Sequence, residues 1–290
     1  MTKIAASELI LNSDGSIYHL NLHPENIAKT IITVGDQDRV SQVTKHFDSI
    51  EFSIQKREFK TETGFYKGKR ITVISTGIGP DNIDIVFNEL DALVNIDLAH
   101  RTVKENHSRL DIIRIGTSGS LQANIPVDAF VISKYGLGLD GLIHSYVSEH
   151  ILEKEIEDAF IEHTNWNNRK ARPYIVKNSR ELEDRLTSDR TFIGLTATAI
   201  GFYGPQGRVL RLPIKNKDLN SKMQSFNFKG SRITNFEMET SAMYGMGKLL
   251  GHHVLSMNAI IANRANGTFS DNPKKIVEEL ILYTLEKLVE

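Results

Sequence analysis

Short runs of Ile and Val alternate along this chain with longer segments whose apolar residues return every three or four positions. This is the pattern of a sheet covered by helices on both faces. Six runs predict strands: residues 29–34 (KTIITV), 71–76 (ITVIST), 111–116 (DIIRIG), 129–134 (AFVISK), 191–197 (TFIGLTA) and 253–262 (HVLSMNAIIA). Their apolar positions are continuous rather than alternating, so both faces of each strand are expected to be buried. Helical spacing predicts helices over roughly 81–106, 148–163, 179–187, 217–225, 238–250 and 273–289. The last carries Ile276, Val277, Leu280, Ile281, Leu285 and Leu288 at helical spacing, with Asn272-Pro273 where a helix start would have them. No repeat, low-complexity tract or Gly/Ser linker divides the pattern, so residues 1–290 read as a single α/β domain.

Two segments are less regular. Residues 95–110, NIDLAHRTVKENHSRL, extend the first long helix with polar and charged sequence. Residues 164–190 carry seven basic residues against four acidic ones, but only Trp166 and Tyr174 are aromatic and the acids are interleaved, so a solvated surface is favoured over a nucleic-acid patch.

Composition narrows the chemistry. The 290 residues include no cysteine, which excludes disulfides, thiolate nucleophiles and Cys-bound zinc. Hydrophobic residues make up 40% and charged residues 24%, as in ordinary globular proteins. With 35 basic and 36 acidic residues the net charge is −1, so no global field draws the protein to nucleic acid or to an anionic membrane, and any anion must be bound locally. The N-terminal apolar stretch, in MTKIAASELILNSDGS, is short and interrupted by Glu8, which fits neither a signal peptide nor a spanning helix; a cytoplasmic protein is expected.

Four clusters carry candidate chemistry. Gly35-Asp36-Gln37-Asp38-Arg39 follows the first strand directly; glycine lets backbone N–H groups approach a ligand, and Arg39 falls in the first turn of the next helix, where an anion meets both dipole and guanidinium. A βα turn with a solvent-exposed arginine would look the same. In Arg114-Ile115-Gly116-Thr117-Ser118-Gly119, Arg114 lies within a strand that reads as central, so it demands an anion. That anion is an internal carboxylate or a bound phosphate, and the hydroxyls and glycines at the strand end favour phosphate. Glu237-Met238-Glu239 stands at a strand-to-helix transition. Its acids either balance the helix dipole or accept the hydroxyls of a ribose, and spacing leaves both readings open. The loop Gly201-Phe202-Tyr203-Gly204-Pro205-Gln206-Gly207-Arg208 sets an amide and a guanidinium near an aromatic pair, matching the edge and face of a pyrimidine base.

In this order GDQDR, STGIG with RIGTSG, FYGPQGR and NFEMET resemble the nucleoside phosphorylases of the uridine phosphorylase type, from about Tyr18 to Arg264. The resemblance implies a nucleoside phosphorylase fold, a mixed central sheet of distorted, barrel-like form flanked by helices. It implies phosphorolysis of a pyrimidine nucleoside, uridine and phosphate giving uracil and ribose 1-phosphate, with Arg114, Arg208 and Glu239 at the centre of the chemistry. By the same resemblance Gly35, Arg39, Arg114 and Thr117 cradle phosphate, and Arg57, in KREF, reaches it from a neighbouring subunit. Met238 and Glu239 hold the ribose, and His19 crosses the interface to its 5′-hydroxyl. Gln206 and Arg208 read the base, Phe202 packs beside it, and Arg264 supports Arg208 through water. Phosphate is then a co-substrate, no metal or organic cofactor is implied, and shared sites require at least a dimer, with the hexamer as the bacterial default.

Relatives acting on purines place an aspartate after the last core strand, where this chain has Ala262-Asn263-Arg264. Purine phosphorolysis, a nucleosidase using water, and a non-catalytic nucleoside-binding protein are the alternatives on the same fold. The chain departs from the family at Pro80-Asp81-Asn82, where Gly-Pro-Ser is usual, which puts in doubt a monovalent-cation site built with the glutamate matching Glu58. It has GPQGR in place of PGQxR. Residues 1–17 read as an N-terminal extension, and 95–110 as an insertion relative to short bacterial members.

Overall fold

The computed structural model describes residues 2–290. In chain order its strands are β1 (Thr30–Val34), β2 (Ser49–Lys56), β3 (Phe59–Tyr66), β4 (Lys69–Ser75), β5 (Ile96–Asp97), β6 (Thr102–Val103), β7 (Asp111–Ser120), β8 (Phe130–Gly138), β9 (Tyr174–Lys177), β10 (Thr191–Thr198), β11 (Asn227–Phe228), β12 (Ser231–Glu237), β13 (His253–Asn263) and β14 (Thr268–Phe269). The helices are α1 (Gln37–Thr44), α2 (Pro80–Asn95), α3 (Lys154–Thr164), α4 (Arg180–Leu186), α5 (Leu219–Ser225), α6 (Thr240–Leu249) and α7 (Pro273–Val289).

The main sheet runs β11-β12-β10-β8-β13-β7-β1-β4-β3-β2. β12 also pairs antiparallel with the far end of β7, Asn235 opposite Ser120 and Phe236 opposite Gly119, so β7, β13, β8, β10 and β12 close into a barrel. β1, β4, β3 and β2 form a wing on it. The sheet is mixed, as expected: β1 is parallel to β4 and β7, while β8 is antiparallel to β13.

Continuous apolar runs are explained by cores on both faces. Ile31 and Ile112 join one core with Phe87 and Leu90 of α2 and Met243 of α6; their neighbours Ile32 and Ile113 join another with Val40 of α1, Leu182 of α4 and Leu280 of α7. A third core packs Phe160 of α3 and Met223 of α5 against Leu137, Leu195 and Ile233. The N-terminal segment is part of this packing, since Leu9 and Ile17 are buried in the first core.

Two expectations change. The first long helix stops at Asn95 instead of running on to 106: Ile96 is already extended, and the Asn95 side chain takes both backbone groups of Ser108, accepting from its N–H at 2.6 Å and donating to its carbonyl at 3.2 Å. Residues between these anchors form the small antiparallel hairpin β5–β6, against which the N-terminal segment is held by Ile4 N–H donating to the Arg101 carbonyl. The segment expected as a helix from 148 begins with a short 3₁₀ turn, Glu149–Ile151, and α3 starts only at Lys154.

Candidate active site

A cavity of about 830 Å³ opens at the C-terminal ends of β1, β4, β7, β12 and β13, where open α/β sheets bind ligands. One wall is Gly35, Asp36, Arg39 and Gly77, the floor is Arg114, Thr117 and Glu239, and the opposite wall is Phe202, Gln206, Arg208 and Phe236. The dimensions suit a ligand of several hundred daltons.

At the first wall, Asp36 caps α1 by accepting from Asp38 N–H at 3.0 Å, which places Arg39 in the first turn facing inward. The Arg39 guanidinium has no carboxylate within 4 Å among the described residues, and its hydrogen bond there is to the Ile115 carbonyl at 3.4 Å. Burial lowers its pKa, and the nearby Arg114 charge lowers it further. A partly buried guanidinium beside a second one is unfavourable until an anion joins them.

Arg114 is satisfied by the protein. Its side chain folds back over Gly116, where a Cβ would collide with the guanidinium, and Nη2 donates to Glu239 at 2.5 Å with Glu237 at 3.3 Å. The internal carboxylate and the open cavity are therefore both present at this residue. Thr117 lines the cavity beside it.

The two acids of FEMET have different partners. Glu237, at the end of β12, accepts from the backbone N–H of Glu239 at 2.9 Å and of Thr240 at 3.0 Å and from the Thr198 hydroxyl at 2.7 Å, so it caps α6. Glu239 faces Arg114 and accepts from Gly79 N–H at 3.0 Å. Burial raises the Glu239 carboxyl above the ordinary glutamate range, with Arg114 opposing the shift and Glu237 adding to it. Met238 between them lines the cavity.

At the opposite wall Gln206 is buried and its Oε1 accepts from Arg208 Nη1 at 2.6 Å and from Arg264 Nη2 at 2.8 Å. With its oxygen engaged twice, the amide keeps Nε2 as its free donor. Arg264 also donates to the Gln206 carbonyl at 2.7 Å, so it braces Gln206 directly. Burial and the Arg208 charge lower Arg264 to about 10. Phe202 is half exposed, and the Arg208 guanidinium lies over its ring, 3.7 Å from the centroid, so one face is already stacked.

Arg57 and His19 are not brought to this cavity. Arg57 is exposed in the β2–β3 turn at φ 55°, and His19 holds Glu89 of α2 through Nδ1 at 2.6 Å. Sequence reasoning missed the Gly79 N–H and the wall residues Phe236 and Phe269. It also missed Asn258, which accepts from Arg114 Nη1 at 3.0 Å. A signal existed for the last: Ser256 and Asn258 break an apolar strand at period 2.

A closed mixed barrel that gathers strand ends around two guanidiniums and a buried carboxylate is an α/β protein of phosphorylase architecture. The chain belongs to the phosphorylase superfamily, whose family model matches residues 29–288. It is similar to uridine phosphorylase of Thermococcus kodakarensis, 27% identical over 94% of this chain and 87% of the relative, and to that of Escherichia coli, 26% identical over 87% and 88%. Among solved structures it superposes on a Trypanosoma brucei nucleoside phosphorylase described as showing uridine phosphorylase activity, with a TM-score of 0.86 and 29% identity over 97% of this chain and 99% of that one. The described residues include no helix long and apolar enough to cross a membrane.

Proposed function

We propose that this protein catalyses the phosphorolysis of uridine to uracil and ribose 1-phosphate, as a cytoplasmic homo-oligomer. The observation that carries the reading is the Arg39 guanidinium, partly buried, without a carboxylate and facing the same cavity as Arg114, Glu239 and the Gln206–Arg208 pair. Relatives named uridine phosphorylase that align over most of the chain support it.

Phosphate bound between Arg39, Arg114, Thr117 and the Gly35 backbone is oriented toward C1′ of the nucleoside, and Glu239 accepts the ribose hydroxyls beside Met238. As the bond from C1′ to the base nitrogen lengthens, positive charge grows on the ribose next to the phosphate dianion, and the electron pair goes to the base. Gln206 Nε2 and the Arg208 guanidinium stabilise the departing uracil anion, with Phe202 alongside and Arg264 holding Gln206. The phosphate oxygen then forms the new bond to C1′. No metal ion or organic cofactor enters this scheme.

Charge supports a shared site. Within one chain Arg114 is already paired with Glu239 and Glu237, so of the two guanidiniums Arg39 alone is left without a carboxylate partner to meet a phosphate dianion. Arg57, exposed on its turn, supplies the third guanidinium from a second copy, and His19 the contact to the 5′-hydroxyl. A pyrimidine is favoured over a purine because the wall at the C-terminal end of β13 offers no acid: Ala262 faces the cavity, while Asn263 is buried and donates to the carbonyls of Gln122 and Ile125. Release of uracil, followed by ultraviolet absorbance with and without phosphate, tests the reading. Equal rates in both buffers would replace it with a nucleosidase, and cleavage of inosine with uridine untouched would reverse the base assignment.

A further inference from the structure

The barrel interior beneath Arg114 is polar, and one of its residues takes no part in the phosphorolysis proposed. Asn258 lies on β13 opposite Gly116 of β7 and is fully enclosed. Its Oδ1 accepts from Arg114 Nη1 at 3.0 Å, while its Nδ2 stands 3.4 Å from the Ser133 hydroxyl and 3.3 Å from the Ser256 hydroxyl. The orientation of this amide is dictated by its neighbours. Thr196 donates its hydroxyl proton to Asn235 Oδ1 at 2.8 Å, so Ser133 donates to Thr196 at 2.5 Å and keeps its lone pairs for Asn258 Nδ2. Asn235 Nδ2 in turn donates to the Ser118 hydroxyl at 2.9 Å. A continuous hydrogen-bonded chain therefore crosses the barrel between Arg114 and Ser118, both on the cavity wall.

We infer that Asn258 is a positioning residue for the phosphate, a neutral acceptor that fixes the Arg114 guanidinium without adding to the negative charge already beside it. The inference rests on the assignment of phosphate to Arg114 in the proposed function. A buried guanidinium needs acceptors for its N–H groups, and a carboxylate would supply one at the expense of the positive potential that an anion requires. Nη2 already meets Glu239 and Glu237. A third acid on Nη1 would leave Arg39 and Arg114 outnumbered, whereas an amide oxygen satisfies the geometry and leaves the charge balance as it is.

Asn258→Asp, which keeps the shape, and Asn258→Ala, which removes the acceptor, test this. Binding of inorganic phosphate is measured by calorimetry, KM for phosphate and for uridine by turnover, and folding by thermal melting. The expected result is a phosphate affinity at least about tenfold weaker in Asn258→Asp and about threefold or more in Asn258→Ala, with KM for uridine changed by less than about twofold. Phosphate affinity within twofold of the unmodified protein in either folded variant overturns the inference, as does a parallel loss for both substrates that follows the melting temperature. If the unmodified protein binds phosphate with the expected Asp effect but leaves uridine intact, the substrate assignment fails and the role of Asn258 stands. If it binds no phosphate, both fall.

Discussion

Buried charge concentrates the informative chemistry in a few residues. Removal of the Arg114 side chain unpairs Glu239 and Glu237 and deletes one side of the phosphate clamp, so Arg114→Ala is expected to lower kcat/KM by at least about a thousandfold, of order 4 kcal/mol in transition-state stabilisation. Steady-state kinetics at saturating uridine checks this. In the proposed site Glu239 accepts ribose hydroxyls best as a carboxylate paired with Arg114, and burial raises its carboxyl. The active, deprotonated form is therefore lost as pH falls through a value above the ordinary glutamate pKa of about 4.3. The acid limb of the kcat/KM profile should lie above that value and be absent from the residual activity of Glu239→Gln. At the base wall Gln206 offers only its amide donor, since Arg208 and Arg264 share its oxygen. Arg264→Ala leaves that oxygen held by Arg208 alone and removes the brace on the Gln206 carbonyl, and should raise KM for uridine about tenfold while leaving KM for phosphate near its original value.

Elements place these residues through close backbone contact as much as through side chains. A Cβ at Gly136 of β8 would stand 2.7 Å from Ser241 Cα in the first turn of α6, the turn that carries Glu239 at its start. Gly136→Ala should therefore cost about 1–3 kcal/mol of stability and displace Glu239, weakening nucleoside binding; urea unfolding and KM for uridine would show both effects. The six strands predicted from Ile and Val runs all form, because their apolar positions are continuous and meet cores on both faces, except at the start of β10, where Phe192 and Ile193 are exposed. β2 and β3 escaped notice because SIEFSIQK and FKTETGFY mix polar with apolar residues, as a strand on the outer wing can. The long helix was overextended past Asn95 because its stop is a side chain reaching Ser108, thirteen residues away, which no local pattern records.

At the scale of the whole molecule, the arginine on the β2–β3 turn and the histidine on the N-terminal segment do not line the cavity of their own chain. If Arg57 completes the site of a second copy, Arg57→Ala and Arg114→Ala are each inactive alone, and mixing them after reversible dissociation should restore about a quarter of the sites. No recovery in proven mixed oligomers would return Arg57 to the surface. Single-chain sequence determined the α/β class, the core strands and the candidate residues that line the cavity, among them Gly35, Arg39, Arg114, Thr117, Gln206, Arg208 and Glu239, because burial periodicity and side-chain chemistry are local properties. Tertiary structure alone decided that β12 closes on β7, which acid caps α6 and which meets Arg114, and that Asn258 lies beneath the guanidinium. Each of those depends on strands far apart in sequence meeting at one barrel end, where the partner of a buried charge is fixed by distance in space rather than along the chain.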